Sequence, residues 1–255
     1  SAGSIGSYYE TTSISNTFVA TGDAPLSYSL YSGSLPSGST LYANGVLTGS
    51  APVDSGSTTY SFTIRASDAQ LQDSDRSFSL TINPDVVTWV APTLNGTLTV
   101  YETKAFSTPL SATSAAGYGV MYAANTLPTG ITLSNNTGAF TGYANTIGVT
   151  GAQLTATANT TGRYATSNVN FVVNQDVVTW SSPTNNTNYA LSSGIAMSSV
   201  PLSANSAAGY GIQYTANALP TGVTLSGSTI SGTPTSTGTT YTQLTATANT
   251  TNRYA

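Results

Sequence analysis

The chain has 255 residues, more than one ordinary domain, yet only 5 Lys+Arg and 9 Asp+Glu, so about 5% of it is charged where a globular average is near ~25%. A net charge of -4 with five scattered cations leaves no basic stripe to neutralise phosphates, which argues against a nucleic-acid partner. With no Cys and no His, zinc fingers, disulfide scaffolds and His-dependent nucleophile systems are excluded, and 39% apolar residues still suffice to build cores, so the composition points to a structural or binding protein.

No stretch approaches the ~18–20 consecutive apolar residues of a membrane helix, and Ser1 to Tyr8 have neither a basic start nor an apolar core of the signal-peptide kind. The dominant signal along the chain is an internal repeat. Asp85-Val-Val-Thr-Trp89 recurs as Asp176-Val-Val-Thr-Trp180, an offset of 91. Ala115-Ala-Gly-Tyr-Gly119 and Leu127-Pro-Thr-Gly130 recur at an offset of 92, and Gln153-Leu-Thr-Ala-Thr-Ala-Asn-Thr160 at 90. A more divergent copy comes first: Tyr9-Glu10-Thr11 precedes Tyr101-Glu102-Thr103 by 92, and Leu35-Pro-Ser-Gly38 precedes Leu127-Pro-Thr-Gly130 by 92. The expected organisation is three units, 1–84, 85–175 and 176–255, joined at Pro84-Asp85 and Gln175-Asp176 with almost no linker. A period of this length gives each unit its own core.

Within a unit the apolar period is two. Leu26, Tyr28 and Leu30 are matched to Tyr118, Val120 and Tyr122 and to Tyr210, Ile212 and Tyr214. Tyr60, Phe62, Ile64 and Ala66 alternate likewise, as do Leu154, Ala156 and Ala158, then Leu244, Ala246 and Ala248, and finally Val169, Phe171 and Val173. Alternation marks antiparallel sheets with one face on a core, and the Thr, Gly and Pro content leaves no helical stripe. Turn chemistry fills the gaps at Asn44-Gly45, Asn136-Thr-Gly138 and Gly232-Thr-Pro234. The fold class expected is all-β, a tandem array of three immunoglobulin-like β-sandwiches.

Unit 1 orders its motifs as Tyr28-Ser-Leu, Leu35-Pro-Ser-Gly38, Leu41, Gly45-Val-Leu-Thr-Gly49, Phe62-Thr-Ile-Arg-Ala-Ser-Asp68 and Asp75-Arg-Ser-Phe78. In this it resembles the "putative Ig" repeats, cadherin-like sandwiches of bacterial surface and phage virion proteins. Units 2 and 3 keep Leu-Pro-Thr-Gly with Thr141-Gly142 or Ser231-Gly232, and Asp68 is matched there to Thr160 and Thr250. The resemblance implies a non-enzymatic appendage, a phage virion fibre or decoration component acting as spacer or host-surface binder. A bacterial surface adhesin with glycan- or protein-binding loops is the other reading it leaves open. Either implies a virion or extracellular location. The implied partners are other subunits of the same assembly, in a homo-oligomer or larger array, and a host glycan or protein, with no nucleic acid and no membrane insertion.

Candidate sites are few. Six of the nine acids lie in unit 1, where Asp68, Asp73 and Asp75 cluster, with Glu10 and Asp54 elsewhere in the unit. Calcium takes about six to eight oxygens, and the expectation is a solvated hairpin in which Arg76 offsets Asp73 or Asp75, with no metal. The same acids, in a turn, lack the enclosing cleft of a glycosidase. Lys104 has no Ser at the spacing of a Ser-Lys dyad and reads as a solvated side chain. Trp89 and Trp180, in strand phase with the residue two before them, read as core or hinge plugs rather than sugar platforms. Asn95, Asn135, Asn159, Asn185 and Asn249 begin glycosylation-type triplets that so Asn/Thr-rich a chain supplies by chance. No catalytic, cofactor-binding or metal-binding residue is expected. Unit 3 stops at Arg253-Tyr254-Ala255, before any counterpart of 166–175, so its last strand is expected from further polypeptide or from a neighbouring subunit.

Overall fold

A computed structural model of the chain describes residues 3–92, 95–104 and 108–255. It is all-β, with no helix among the described residues. In the first unit the strands are β1 (Gly3–Tyr9), β2 (Ser13–Thr17), β3 (Ser27–Gly33), β4 (Ser39–Leu41), β5 (Val46–Ser50), β6 (Thr58–Ser67) and β7 (Asp73–Asn83). They form one sheet ordered β1-β7-β6-β3 and a second ordered β2-β5-β4. β1 runs parallel to β7, and β6 and β7 form a long antiparallel hairpin. Alternation does what the sequence requires: Phe62, Ile64, Leu80 and Ile82 point inward to meet Ile14, Phe18 and Leu47 from the facing sheet. Phe18 packs on Phe78 at 4.8 Å between ring centroids.

The second unit contains β8 (Val87–Ala91), β9 (Thr97–Tyr101), β10 (Ser111–Ser114), β11 (Val120–Ala124), β12 (Ile131–Leu133), β13 (Phe140–Gly142), β14 (Gly148–Ala158) and β15 (Tyr164–Asn174). Its main sheet is ordered β11-β14-β15-β9, again with a parallel edge strand, β9 on β15. Small residues on β14 (Ala152, Ala156, Ala158) make room for large ones: Phe171 meets Phe140 edge-on at 5.2 Å, and Trp89 lies 6.0 Å from Tyr122. Trp89 therefore belongs to the packing of its own unit, as the sequence suggested.

The third unit has β16 (Val178–Ser182), β17 (Val200–Pro201), β18 (Ser203–Ser206), β19 (Ile212–Ala216), β20 (Val223–Ser226), β21 (Thr229–Gly232) and β22 (Leu244–Ala248). Where unit 2 has a four-stranded sheet, unit 3 has the pair β19-β22. Its buried apolar residues also fall into two clusters, Val178/Ala204/Ala246/Ala248 and Val200/Leu202/Val223/Ile230.

The glycines of the Leu-Pro-x-Gly motif have a backbone reason. Gly130 sits at φ +89° and a Cβ there would run into the Tyr143 carbonyl, while a Cβ on its cross-strand neighbour Gly142 would run into the Gly130 carbonyl. Two backbones thus approach more closely than any side chain allows.

The tyrosine alignment needs one correction. The Tyr28 hydroxyl accepts the Ala20 N–H at 2.8 Å, as Tyr122 accepts from Ala112 at 3.0 Å and Tyr214 from Ala204 at 2.9 Å. Tyr28 pairs with Ala66 as Tyr122 pairs with Ala156. Tyr28 therefore stands in the place of Tyr122, not of Val120, and Leu30 is 41% exposed. The same register aligns Asp68 with Ala158, not Thr160: the Ala158 N–H donates to Arg163 O of its own hairpin at 2.8 Å, as the Asp68 N–H donates to Gln72 O at 3.2 Å. Loops of different length shifted the phase by two residues, which conserves facing and so leaves no trace in the hydrophobic pattern.

Leu154 is fully buried at the centre of the second core. Leu154→Ala is expected to destabilise that unit by about 2–5 kcal/mol, read as an earlier transition in calorimetry with the transition of unit 1 less affected.

Candidate functional site

In a chain with nine acidic residues, burying any is conspicuous, and four are buried: Glu10, Asp85, Glu102 and Asp176. All four lie where one unit meets the next. Glu10 follows β1, in a turn anchored by its own N–H on Asn83 O (2.9 Å) and by the Thr11 N–H on Ala51 O (2.8 Å). Thr11 sits at φ 63°, which turns the chain sharply away from the sheet.

Most of the donors to the Glu10 carboxylate come from the other unit. Oε1 accepts the Asp85 N–H at 2.9 Å and the Arg163 Nε–H at 2.7 Å. Oε2 accepts Arg163 Nη2–H at 3.0 Å and the Asp54 N–H at 3.2 Å, and Arg163 Nη2 also donates to the Asp54 carbonyl. Arg163 comes from the hairpin between β14 and β15, so a side-on, two-point guanidinium grip ties the last hairpin of unit 2 to the first turn of unit 1. Asp85 fixes the strand that crosses the boundary. Its Oδ1 accepts Ser114 Oγ–H at 2.7 Å and the Ala116 N–H at 3.0 Å, and its Oδ2 accepts Thr161 Oγ1–H at 2.9 Å. Thr11 and Tyr118 close the other flank, hydroxyl to hydroxyl at 2.7 Å.

The boundary between units 2 and 3 repeats this almost atom for atom. Glu102 Oε1 accepts the Asp176 N–H (3.0 Å) and Arg253 Nε–H (2.9 Å), and Oε2 accepts Arg253 Nη2–H (3.1 Å). Asp176 accepts from Ser206 Oγ, Ala208 N and Thr251 Oγ1 at 2.7, 3.0 and 2.8 Å, and Thr103 meets Tyr210 at 3.0 Å. Among the described residues the second joint has no counterpart of Asp54 on the arginine, but it adds Lys104, whose ammonium lies 4.6 Å from the centre of the Tyr210 ring. Lys104, expected to be merely solvated, is part of this joint.

The Arg163 guanidinium holds the Glu10 carboxyl below its ordinary range against the opposing pull of burial, and Arg253 does the same for Glu102. At Asp85 and Asp176 burial is the largest influence and works upward. It is outweighed by the bonds from Ala116, Ser114 and Thr161, and from Ala208, Ser206 and Thr251 respectively, so both carboxyls also end below the usual value.

The acidic cluster that the sequence singled out is separate from the joints and dispersed. Arg65, not Arg76, is its counter-ion: Nε and Nη2 grip Asp75 at 2.8 and 2.7 Å while Nη1 reaches Asp73 at 2.9 Å. β6 and β7 place Arg65 directly opposite Asp75, whereas Arg76 faces Ile64. The Arg65 guanidinium also lies 4.0 Å from the centre of the Tyr31 ring. Asp68 instead caps its turn, with Oδ1 accepting the N–H groups of Gln70 and Gln72 at 2.9 Å each. Among the described residues no three acids converge on a point.

Glu10→Ala removes the acceptor for the buried Asp85 N–H and for Arg163, and is expected to cost about 2 kcal/mol or more and to lower the melting temperature of units 1 and 2 together. Protonation works in the same direction. Both glutamates titrate below their ordinary value of 4.5 when folded, so their contribution is complete above about that pH and is lost as pH falls through the lower folded value. Melting temperature measured from pH 7 to pH 3 is expected to fall more steeply below pH ~4.5 in the parent chain than in the Glu10→Gln, Glu102→Gln double variant.

No curated protein matches the sequence. Among solved structures, the chain is similar to an endo-fucoidan hydrolase of glycoside hydrolase family 107 (16% identity, 98% of this chain and 41% of that chain, TM-score 0.34). It is also similar to Drosophila N-cadherin EC1-4 (12% identity, 98% and 70%, TM-score 0.34) and to the titin I-band fragment I67-I69 (14% identity, 98% and 92%, TM-score 0.35). The chain thus spans under half of the hydrolase, and with every one of these TM-scores below 0.5 the fold assignment rests on the sheets and on the family match. The model of the family described as "Putative Ig domain" matches residues 2–83 and again 88–176. By those two matches, across more than half its length, the chain belongs to the Putative Ig domain family.

Proposed function

We propose that this chain is a non-enzymatic rod of immunoglobulin-like units in an extracellular appendage, and specifically a spacer or decoration component of a phage virion fibre. The observation that carries the reading is the joint. A Glu carboxylate of one unit is gripped by the Asp backbone and the Arg side chain of the next, twice, with the same atoms in the same roles. A flexible linker between independent binding modules needs none of this. A stiff stalk needs successive units fixed in one relation, and a repeated joint supplies the same relation each time.

The chemistry elsewhere supports a structural role. The carboxylates of the one acidic patch are occupied by Arg65 and by turn amides, leaving no pair poised across a cleft for acid–base work. The outward faces of the hairpins carry exposed, uncharged Thr and Ser ladders such as Thr59–Thr81, Thr63–Ser77 and Thr132–Thr141. The virion assignment draws on the resemblance of the Val-Val-Thr-Trp and Asp-Arg-Ser-Phe blocks to repeats in tailed-phage structural proteins. Its partners would be other subunits of the same particle, with a host glycan or protein at the exposed loops.

Two measurements test this. Small-angle scattering is expected to give a radius of gyration of about 30 Å, and a value near the ~18 Å of a compact globule of this length would refute the rod. Antibody raised against residues 1–255 is expected to label purified phage particles in electron microscopy. Label confined to bacterial cell surfaces would replace the virion reading by that of an adhesin.

A further inference from the structure

Each unit places one tyrosine on the outer strand of its main sheet: Tyr28 on β3, Tyr122 on β11 and Tyr214 on β19. In an antiparallel ladder, residues of a non-hydrogen-bonded pair direct their own N–H and C=O away from the partner strand. Asn125 N–H bonds to Gln153 O at 3.1 Å and Asn159 N–H to Gly119 O at 2.9 Å, so the odd residues of β11 are the ones that bond to β14. Tyr122 therefore points its N–H outward. Asn217 N–H to Gln243 O at 3.1 Å and Asn249 N–H to Gly211 O at 2.9 Å set the same phase between β19 and β22, and Tyr214 points outward likewise.

In units 1 and 2 the chain itself answers that N–H. Tyr28 donates to Ala43 O at 3.0 Å and Tyr122 to Asn135 O at 2.8 Å, each acceptor lying in the loop between the next two strands. That loop has five residues between the paired Leu41 and Leu47, and six between Leu133 and Phe140. In unit 3 only four separate Leu225 from Ile230. The shorter turn still bonds to the facing sheet, Leu202 N–H to Ser228 O at 2.7 Å, as Leu110 N–H does to Gly138 O at 2.7 Å. It does not reach β19, for neither Gly227 nor Ser228 accepts from Tyr214. Gly138 is buried so close to Tyr122 that a Cβ would meet the ring, whereas Ser228, in its place, is exposed. Between β19 and the turn lies a groove of about 620 Å³, lined by Ile212, Gln213, Tyr214, Leu225, Ser228 and Asn249 together with Gly227, without a charged side chain.

We propose that this groove is a docking site for an extended, uncharged peptide segment of a partner protein, whose backbone carbonyl takes the place that Ala43 and Asn135 hold in the other units. The occupant's chemistry follows from the molecule itself, because the same N–H at the same edge is twice met by a peptide carbonyl. Outward N–H and C=O groups recur along β19 at Ile212, Tyr214 and Ala216, so a segment laid beside it bonds at alternate residues. Ile212 and Leu225 offer an apolar contact, and the amides of Gln213 and Asn249 offer hydrogen bonds. A charged segment would find no counter-ion there and would lose hydration on entry. The site goes beyond the stalk reading and is independent of it, since it requires only the shortened turn of unit 3.

The test uses the 255-residue chain and the probe peptide acetyl-Thr-Val-Thr-Val-Thr-amide. Without peptide, the Tyr214 amide is expected to exchange about tenfold or more faster than those of Tyr28 and Tyr122. Adding peptide is expected to slow Tyr214 saturably, about threefold when the peptide stands at about twice its Kd, and to leave Tyr28 and Tyr122 unchanged. The same peptide N-methylated at every residue, which cannot form a ladder, is expected to give no protection. Replacing Ser226-Gly-Ser-Thr229 by the unit 2 sequence Ser-Asn-Asn-Thr-Gly-Ala is expected to protect Tyr214 without peptide and to abolish the response. Should that variant fail to fold, the two peptides on the parent chain decide. No slowing by the probe peptide, or equal slowing by its N-methylated form, would overturn the proposal. So would a peptide-free monomer in which Tyr214 exchanges as slowly as Tyr122, because the edge would then be closed already. A peptide-free dimer with Tyr214 protected would give the groove to a second copy, with the same consequence.

Discussion

A carboxylate taken out of water must be repaid in bonds, and the two joints are arranged around that requirement. Glu10 is completely buried, and Glu102 nearly so. Transfer of such a charge to a protein interior costs several kcal/mol unless its lone pairs are met. Neither unit can meet them alone, because two of the donors to Glu10, the Asp85 N–H and the Arg163 guanidinium, belong to the next unit. The folded arrangement of one unit therefore specifies where its neighbour must sit. A hydrophobic contact of similar area would tolerate sliding and rotation. A two-point guanidinium grip together with one backbone N–H does not, because each bond is directional.

The same logic explains how the local structure serves the joint. The αL residues Thr11 and Thr103, at φ 63° and 57°, turn the chain so that the preceding glutamate points across the boundary. The Asp that follows each boundary ties its own strand to the Ser and Thr hydroxyls of its unit, so the backbone N–H offered to the glutamate is held still. Tyr118 and Tyr210 then occupy the remaining edge. The buried acids are thus a connected pair, one receiving the neighbour and one fixing the group that is received.

Much of the fold was legible because it depends on the period-two pattern alone. Phe62, Ile64, Val169, Phe171 and Val173 read as inward-facing and are. What was not legible depends on register and on distance along the chain. Tyr28 was matched to the wrong position because a two-residue loop change preserves facing. Arg65 and Asp75 meet only through the pairing of β6 with β7, ten residues apart in sequence, and the nearer Arg76 was the misleading choice. The joint itself joins residues 153 apart. Yet it left a trace: in a chain so poor in charge, Glu10 and Glu102, Asp85 and Asp176, and Arg163 and Arg253 recur in register. Recurrence of a charged residue where apolar and hydroxyl residues dominate is the sign that it has a partner.

That recurrence also has a direction. Glutamate lies on the trailing face of a unit and arginine on the leading face of its successor. The hairpin position of Arg163 and Arg253 is Gln72 in unit 1, whose carbonyl receives the Asp68 N–H as theirs receive Ala158 and Ala248. The positive-φ position of Thr11 and Thr103 is Gly194 in unit 3, so the residue in the place of the glutamate is Ser193. Each half of the grip is present at the two joints between these units, and Gln72 and Ser193 stand in its place on the leading face of unit 1 and the trailing face of unit 3. A buried glutamate without its arginine would be an unpaired charge, and a serine at that position carries no such cost. The outer faces are consequently chemically unlike the inner ones. Any neighbour they meet must be held by something other than the Glu–Arg grip, and head-to-tail stacking of copies of this segment through that grip is disfavoured by the same residues that make the two internal joints firm.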